Sequence, residues 1–359
     1  MSEEPSPRVR ELAAAVGRAA ERLRGRVRRT QVQPADLEWL GRPARAWLKL
    51  EHLQETGSFK LRGATNKILG LPSEQLERGV VAASSGNHGL AVTTVLAAAT
   101  VPAVSTVRAD PRARAIVFVP ETVSPAKAKK LEGLGAEVRR VGDDALIAEQ
   151  EARAFAERTG RVYVSPYNDW DVIAGQGTVG VELLEQLPEL EAVLVTVGGG
   201  GLISGVAAWL RAHRPQVRIV GCLPARSPVM AECLRRGEVV EVASEPTLSD
   251  GSAGGLETGA MTFELCRELI DEIVLVEEEE IAAAMRALMR ERRLVVEGSA
   301  AVAVAAYRRL RDALGDATAA MVLCGGNLGL GTLRRILRSD TPAGSSAPGA
   351  PSAALAGDP

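Results

Sequence analysis

Short apolar runs that end in glycine- or serine-rich turns and pass straight into helical periodicity recur along most of the chain. That alternation narrows the fold more than any other feature. Residues 79–83 lead into the turn 84–89 and an alanine-rich helix over 90–99; residues 116–119 precede a helix over 125–133, and 137–141 precede one over 145–159. A second series begins at 162–165 and continues through 193–197, 218–222, 273–276 and 320–324, with helices between. Strands that alternate with helices form parallel sheets covered on both faces. The expectation is an α/β chain with two doubly wound lobes and mostly parallel sheets, with its sites at the carboxyl ends of the strands. Ahead of the first series, Val9, Leu12, Val16, Ala19 and Leu23 have helical spacing, residues 47–50 read as a short strand, and a helix is expected over 60–69. The expected division is a large lobe from residues 1–75 and 155–338, a small lobe from 76–154 that carries a substrate loop, and a disordered tail at 339–359. That tail is Pro, Gly, Ser and Ala with little to bury.

Glycine is concentrated where the topology places a site. Gly198, Gly199, Gly200 and Gly201 follow the strand at 193–197 and open a helix. Removing side chains there lets main-chain N–H groups converge on a phosphate, to which the helix N-terminus adds partial positive charge. A merely tight turn is the weaker explanation, because four consecutive glycines lose much conformational freedom on folding. The loop has neither the lysine of a P-loop nor the spacing of a dinucleotide fingerprint, so ATP and NAD do not suit it.

Lys60, in Thr56-Gly57-Ser58-Phe59-Lys60-Leu61-Arg62-Gly63, is the candidate chemical centre. Packing an amine against an aromatic and apolar wall favours the neutral form, which can condense with an aldehyde. Taken alone, such a lysine is more often a solvated one with its stem laid over an apolar neighbour. Ser84-Ser85-Gly86-Asn87-His88-Gly89 also follows a strand and opens a helix. It suits either a substrate carboxylate or a plain helix cap, and His88 reads as an orienting group. Cys324, in Leu323-Cys324-Gly325-Gly326-Asn327, ends the last strand and could meet a ring nitrogen, although a lone apolar-flanked cysteine is commonly just buried.

Composition excludes several classes. With 359 residues, 46% hydrophobic and 25% charged, at a net charge of -2, the chain can bury a sizeable core and is no general nucleic-acid binder. The arginine-rich run at 22–29 reads as the last turn of an amphipathic helix, and Glu277 to Glu280 as the solvated first turn of another. Cys222, Cys233, Cys266 and Cys324 lack metal-site spacing, so no metal is expected. The N-terminus lacks a signal-like apolar core, and the apolar stretch 91–107 is too short and interrupted for a bilayer. A cytoplasmic protein without membrane partners is expected.

Taken in order, T-G-S-F-K-L-R-G, S-S-G-N-H-G, I-A-G-Q-G-T at 173–178, G-G-G-G and C-G-G-N resemble the pyridoxal-phosphate enzymes of the threonine/serine dehydratase and serine racemase group, of fold type II, across residues 45–335. The resemblance implies that the cofactor is pyridoxal 5'-phosphate. Lys60 would be its Schiff-base lysine, Phe59 would flank its ring, Asn87 would contact the ring 3-oxygen, Gly198 to Gly201 would hold its phosphate, and Cys324 would lie beside the pyridine nitrogen. Ser84, Ser85, Asn87 and His88 would surround the substrate carboxylate. The activity implied is elimination of water from L-threonine, L-serine or a related 3-hydroxy amino acid, giving a 2-oxo acid and ammonia. A neutral thiol at Cys324 tempers the electron sink, which suits elimination. Thr247 to Gly255 resembles a loop at the cofactor's edge, and Glu297 resembles an acid facing the same cavity. A homodimer is the family expectation.

Ser85 stands where racemases of the group carry a serine on the opposite cofactor face, so amino-acid racemisation on the same site is the alternative. The acidic pair that holds a divalent cation in those racemases falls here on Leu223 and Val229, which cannot ligate one. The link containing Ala109 to Arg112 is longer than usual for the group, and the C-terminal regulatory domain of biosynthetic threonine dehydratases is not expected after Arg335. A non-catalytic sensor of the same fold would be expected to lack the lysine or the glycine cradle, and both are present.

Overall fold

The computed structural model describes residues 4–41, 45–99 and 114–338. The long link at 109–112 and the tail at 339–359 lie outside the described residues. The chain opens with α1 (Pro7–Leu23), β1 (Val32–Pro34), β2 (Ala46–Lys49), α2 (Lys60–Leu69) and α3 (Ser73–Arg78). Next come β3 (Val80–Ala83), α4 (Asn87–Ala99), β4 (Ala115–Val119), α5 (Pro125–Gly133), β5 (Glu137–Arg140), α6 (Ala145–Thr159) and β6 (Val162–Tyr163). The remainder runs α7 (Trp170–Gln186), β7 (Ala192–Thr196), α8 (Gly201–His213), β8 (Arg218–Pro224), α9 (Val229–Arg236) and α10 (Met261–Leu269). It closes with β9 (Glu272–Val276), α11 (Glu278–Arg292), α12 (Gly298–Leu314), β10 (Ala319–Val322) and α13 (Leu330–Arg338).

Two sheets result, a six-stranded one in the order β1-β2-β10-β7-β8-β9 and a four-stranded one in the order β5-β4-β3-β6. Every pairing is parallel except β1 with β2. The expected α/β architecture is therefore present. One strand changes sheet: Val162–Tyr163, expected to open the second series, pairs instead with β3, setting Val80 opposite Val162 and Val81 opposite Tyr163. Alternation specifies a parallel strand but not which open edge takes it.

Local chemistry sets the element ends. Ser6 caps α1 and Pro7 fills its first turn, where a missing N–H costs nothing. The apolar stripe expected on α1 is buried, from Val9 through Leu23. The helix ends at Leu23, so only Arg22 of the arginine run lies in its last turn, and the expectation that residues 22–29 form that turn is corrected. Beyond the helix, Arg28 donates to the Leu53 carbonyl and Arg29 pairs with Glu185. The run thus ties the segment after α1 to the Leu53 turn and to α7. Glu277 and Glu280 form a capping box on α11, while Glu278 holds Thr247 and the Leu248 N–H, more than the solvated role expected.

The large sheet's core is aliphatic, with β7 and β10 buried at every position. Helices α7 and α8 pack close enough that a Cβ on Gly205 would lie 2.3 Å from the Ile173 carbonyl and 2.7 Å from Gly177 N. Leu223 and Val229 are both buried in this core. Among the described residues no helix is long and apolar enough to cross a membrane.

Candidate active site

Four strand ends, those of β3, β6, β7 and β10, and the starts of α2, α4 and α8 supply the site. The segment before α2 runs beside the segment after β10: Ser58 bridges Gly325, the Phe59 N–H donates to the Cys324 carbonyl, and the Gly326 N–H donates to the Gly57 carbonyl. These bonds place Lys60, the first residue of α2, beside Cys324. Below them lies a buried charge cluster. Arg62, fully buried, donates through Nε and Nη2 to both carboxylate oxygens of Glu51 at 2.8 Å and reaches Glu182 at 2.7 and 2.9 Å. Lys49 meets Glu182 at 2.5 Å. Burial opposes charge on Arg62, but Glu51 and Glu182 outweigh it and hold the guanidinium above its ordinary pKa. The cluster fixes α2 to β2 and α7.

The I-A-G-Q-G-T motif serves the same seating. Thr178 accepts from Arg62, and Gln176 accepts from the Gly63 N–H. A Cβ on Gly175 would lie 2.7 Å from the Arg62 carbonyl. The glycines let α2 and α7 touch backbone to backbone.

Lys60 is half-buried, and its Nζ lies 5.1 Å from the centroid of the Phe59 ring. It donates to the Pro166 carbonyl at 2.7 Å. Burial pulls its pKa down from 10.5 to about 8, against the opposing pull of Glu297. A substantial neutral fraction follows near pH 7 to 8. Cys324 is only 4% exposed, and burial, then Glu297, pushes its thiol well above the ordinary value, so it stays neutral.

Asn87 opens α4, and its Nδ2 donates to both Glu297 oxygens, at 2.9 and 3.1 Å. Glu297 is 6% exposed, and burial raises its pKa to about 7 despite the Asn87 bond, with Asp250 adding to the rise. His88 is buried, and its Nε2 lies 2.8 Å from the Val164 carbonyl. Burial, then Lys60, pushes His88 down to about 3, so it is neutral, and the contact is an Nε2–H donated to the carbonyl. The Ser84 hydroxyl accepts from the Gly86 N–H and shapes the turn, while Ser85 is half-buried on the same loop.

The glycine quartet lies at the end of β7 and the start of α8. Gly200, at φ 84°, is the helix cap and offers no side chain to the first-turn N–H groups, which leaves donors for an anion. The protein itself also demands these glycines. A Cβ on Gly199 would lie 2.3 Å from the Tyr167 ring, one on Gly198 would meet the Ser252 carbonyl at 2.8 Å, and one on Gly201 would meet Tyr167 at 3.0 Å. Tyr167 is pinned in turn, its hydroxyl accepting from the Glu257 N–H at 3.0 Å. Glu257 pairs with Arg153 of α6, which joins this loop to the small sheet's helices.

Pro166, Tyr167 and Asn327 were not among the residues singled out for chemistry from sequence. The available signal was positional, since Pro166 and Tyr167 follow the end of β6 and Asn327 closes the C-G-G-N motif. The set fits pyridoxal phosphate: an enclosed amine of lowered pKa for the aldehyde, free helix-start donors for the phosphate, an inward amide for a ring oxygen and a neutral thiol for the ring nitrogen.

The chain matches the family described as pyridoxal-phosphate dependent enzyme over residues 23–325. It is similar to the L-threonine ammonia-lyase of Thermotoga maritima, 42% identical over 291 residues that cover 81% of this chain and 69% of that protein. Among solved structures it is similar to the processed form of threonine deaminase isoform 2 from Solanum lycopersicum, with a TM-score of 0.81 and 30% identity over 93% of this chain and 88% of that one. It is also similar to maize serine racemase, with a TM-score of 0.80 and 29% identity over 91% of this chain and 97% of that one.

Proposed function

We propose, from the premise that the chain belongs to the family of pyridoxal-phosphate-dependent enzymes, that it is an ammonia-lyase acting on L-threonine, L-serine or a related 3-hydroxy amino acid. The products are a 2-oxo acid and ammonia. The observation that carries the reading is Lys60, an enclosed amine with a pKa near 8 at the start of α2, between a neutral thiol and a glycine-opened helix. The 42% identity to a protein named L-threonine ammonia-lyase supports the substrate class.

Pyridoxal phosphate, when bound, supplies an aldehyde carbon and an electron-withdrawing ring that makes a substrate's Cα–H acidic. The chain supplies the rest. Gly198, Gly199, Gly200 and Gly201 would offer main-chain donors to the phosphate, Asn87 would hold the ring 3-oxygen, and Phe59 would flank the ring. Cys324, held neutral, neither donates a full charge to the ring nitrogen nor takes one from it. Ser84, Ser85, Asn87 and His88 form the loop around the substrate carboxylate, where His88 acts as a neutral orienter. Lys60 Nζ would take the Cα proton and hand it to the departing β-hydroxyl, so that water leaves, and the released enamine would take up one water to give the 2-oxo acid and ammonia.

Incubation of the purified protein with L-threonine and L-serine, following 2-oxo acid and ammonia, tests the reading. Racemisation is the second reading, supported by the resemblance that sets Ser85 on the cofactor face opposite Lys60 and by the likeness to maize serine racemase. D-enantiomer forming faster than 2-oxo acid would select it. The family expectation also supports a homodimer, and four buried free cysteines suit a reducing cytoplasm.

A further inference from the structure

Asn327 closes the C-G-G-N motif, and no role has been assigned to it above. It touches four separate segments: those carrying Asn87, Thr56, Lys130 and Glu297. Its Nδ2 donates to Asn87 Oδ1 at 2.7 Å and to the Thr56 carbonyl at 2.8 Å. Its Oδ1 accepts from Lys130 of α5 at 3.4 Å, and its main-chain N–H donates to Glu297. A side-chain amide has one donor end and one acceptor end, so whatever occupies one end decides which way the other points. Asn327 presents a donor to Asn87 Oδ1. The Asn87 Nδ2 is thereby turned away from Asn327, toward Glu297, whose two oxygens hold it from the other side.

We propose that Asn327 is a positioning residue that locks the Asn87 amide with its donor end facing the cofactor's ring oxygen. This rests on the proposed role of Asn87 toward pyridoxal phosphate. The packing around Asn327 supports a fixed rotamer, because a Cβ on Gly57 would lie 3.0 Å from its amide. The Thr56 carbonyl takes one Nδ2 proton and Asn87 the other. Reversing the Asn327 amide would set two oxygens against its Oδ1 and leave Lys130 facing a donor. Asn87 therefore has one comfortable orientation while Asn327 is present.

Two variants separate orientation from bulk. Asn327→Asp keeps the shape but offers only acceptors near neutral pH, so it sets an oxygen against Asn87 Oδ1 and competes with Glu297 for Asn87 Nδ2. Asn327→Ala removes the partner without that competition. Because Asn327 is exposed, water competes for these bonds and the expected losses are modest. Asn327→Ala is expected to bind pyridoxal phosphate about fivefold more weakly, and Asn327→Asp about tenfold or more. The readout is equilibrium binding followed by visible absorbance, with the melting temperature of the cofactor-free protein as a control for folding. In an Asn87→Ala background, the difference between alanine and aspartate at 327 is expected to vanish.

Aspartate binding the cofactor as well as wild type, or better than alanine, overturns the inference while leaving the functional reading intact. So does a difference that persists without Asn87, since that would mark a long-range effect of charge. A wild-type protein that takes up no pyridoxal phosphate overturns the functional reading and this inference together.

Discussion

The Lys60 amine donates to the Pro166 carbonyl at 2.7 Å, and the next residue, Tyr167, lies against Gly199 of the glycine loop. One step of chain after β6 therefore faces both the amine and the glycine loop. Lys60 is enclosed from that side without meeting a carboxylate, which is why burial dominates its pKa. A carbonyl can accept from the ammonium but cannot neutralise it.

Cofactor uptake should report that burial. Attack on an aldehyde needs the neutral amine, so the rate of pyridoxal phosphate uptake is expected to rise with pH through a midpoint near 8, far below the ordinary lysine value of 10.5. Glu297 opposes the shift, and Glu297→Gln removes its charge. The midpoint in that variant is expected to fall below that of wild type. Stopped-flow absorbance across a pH series measures both, and a midpoint that stays put would detach Glu297 from the amine.

Glu297 itself makes stability depend on pH. Its folded pKa is about 7, raised by burial from 4.5, so the folded state holds the proton more tightly than the unfolded chain. Stability is then lost as pH rises from 4.5 through 7. Glu297→Gln retains an acceptor for Asn87 and carries no charge. It is expected to raise the melting temperature of the cofactor-free protein by a few degrees above pH 7 and to change it little at pH 4.5.

Removing the buried guanidinium should be costly. Arg62→Met leaves Glu51, itself fully buried, without its partner, and a loss of about 3–5 kcal/mol is expected. Adding Glu51→Leu should recover part of that loss, because the orphaned charge goes with it. Melting temperatures of the single and double variants decide the point, and a double variant no better than the single would show that packing alone had been lost.

The strands and helices were legible because their periodicity is local. Helices α5 and α6 fall at the bounds the spacing predicts, and the turns expected at residues 84–89 and 198–201 follow strand ends, although α4 begins inside the first of them, at Asn87, and α8 at Gly201. Edge choice was not legible. β6 is two residues long and carries no mark of which sheet it joins, since only the open edge beside β3 decides it. Contacts between distant segments were hidden for the same reason. Asn327 meets Asn87 across 240 positions, and Tyr167 meets the glycine loop through a ring that sequence spacing cannot aim.

Gly199 has two competing reasons to be glycine, and a pair of variants can divide them. A phosphate cradle needs main-chain donors uncovered, whereas the Tyr167 ring needs the volume that a Cβ would take, at 2.3 Å from its Cγ. Gly199→Ala is expected to weaken pyridoxal phosphate binding by about tenfold or more, because either the ring or the loop must shift. Tyr167→Ala opens that space. If packing imposes the glycine, Gly199→Ala in the Tyr167→Ala background should cost little further affinity, and the two effects should be strongly non-additive. An equal loss in both backgrounds would place the requirement on the ligand alone, and the ring would then be a neighbour of the cradle rather than part of what shapes it.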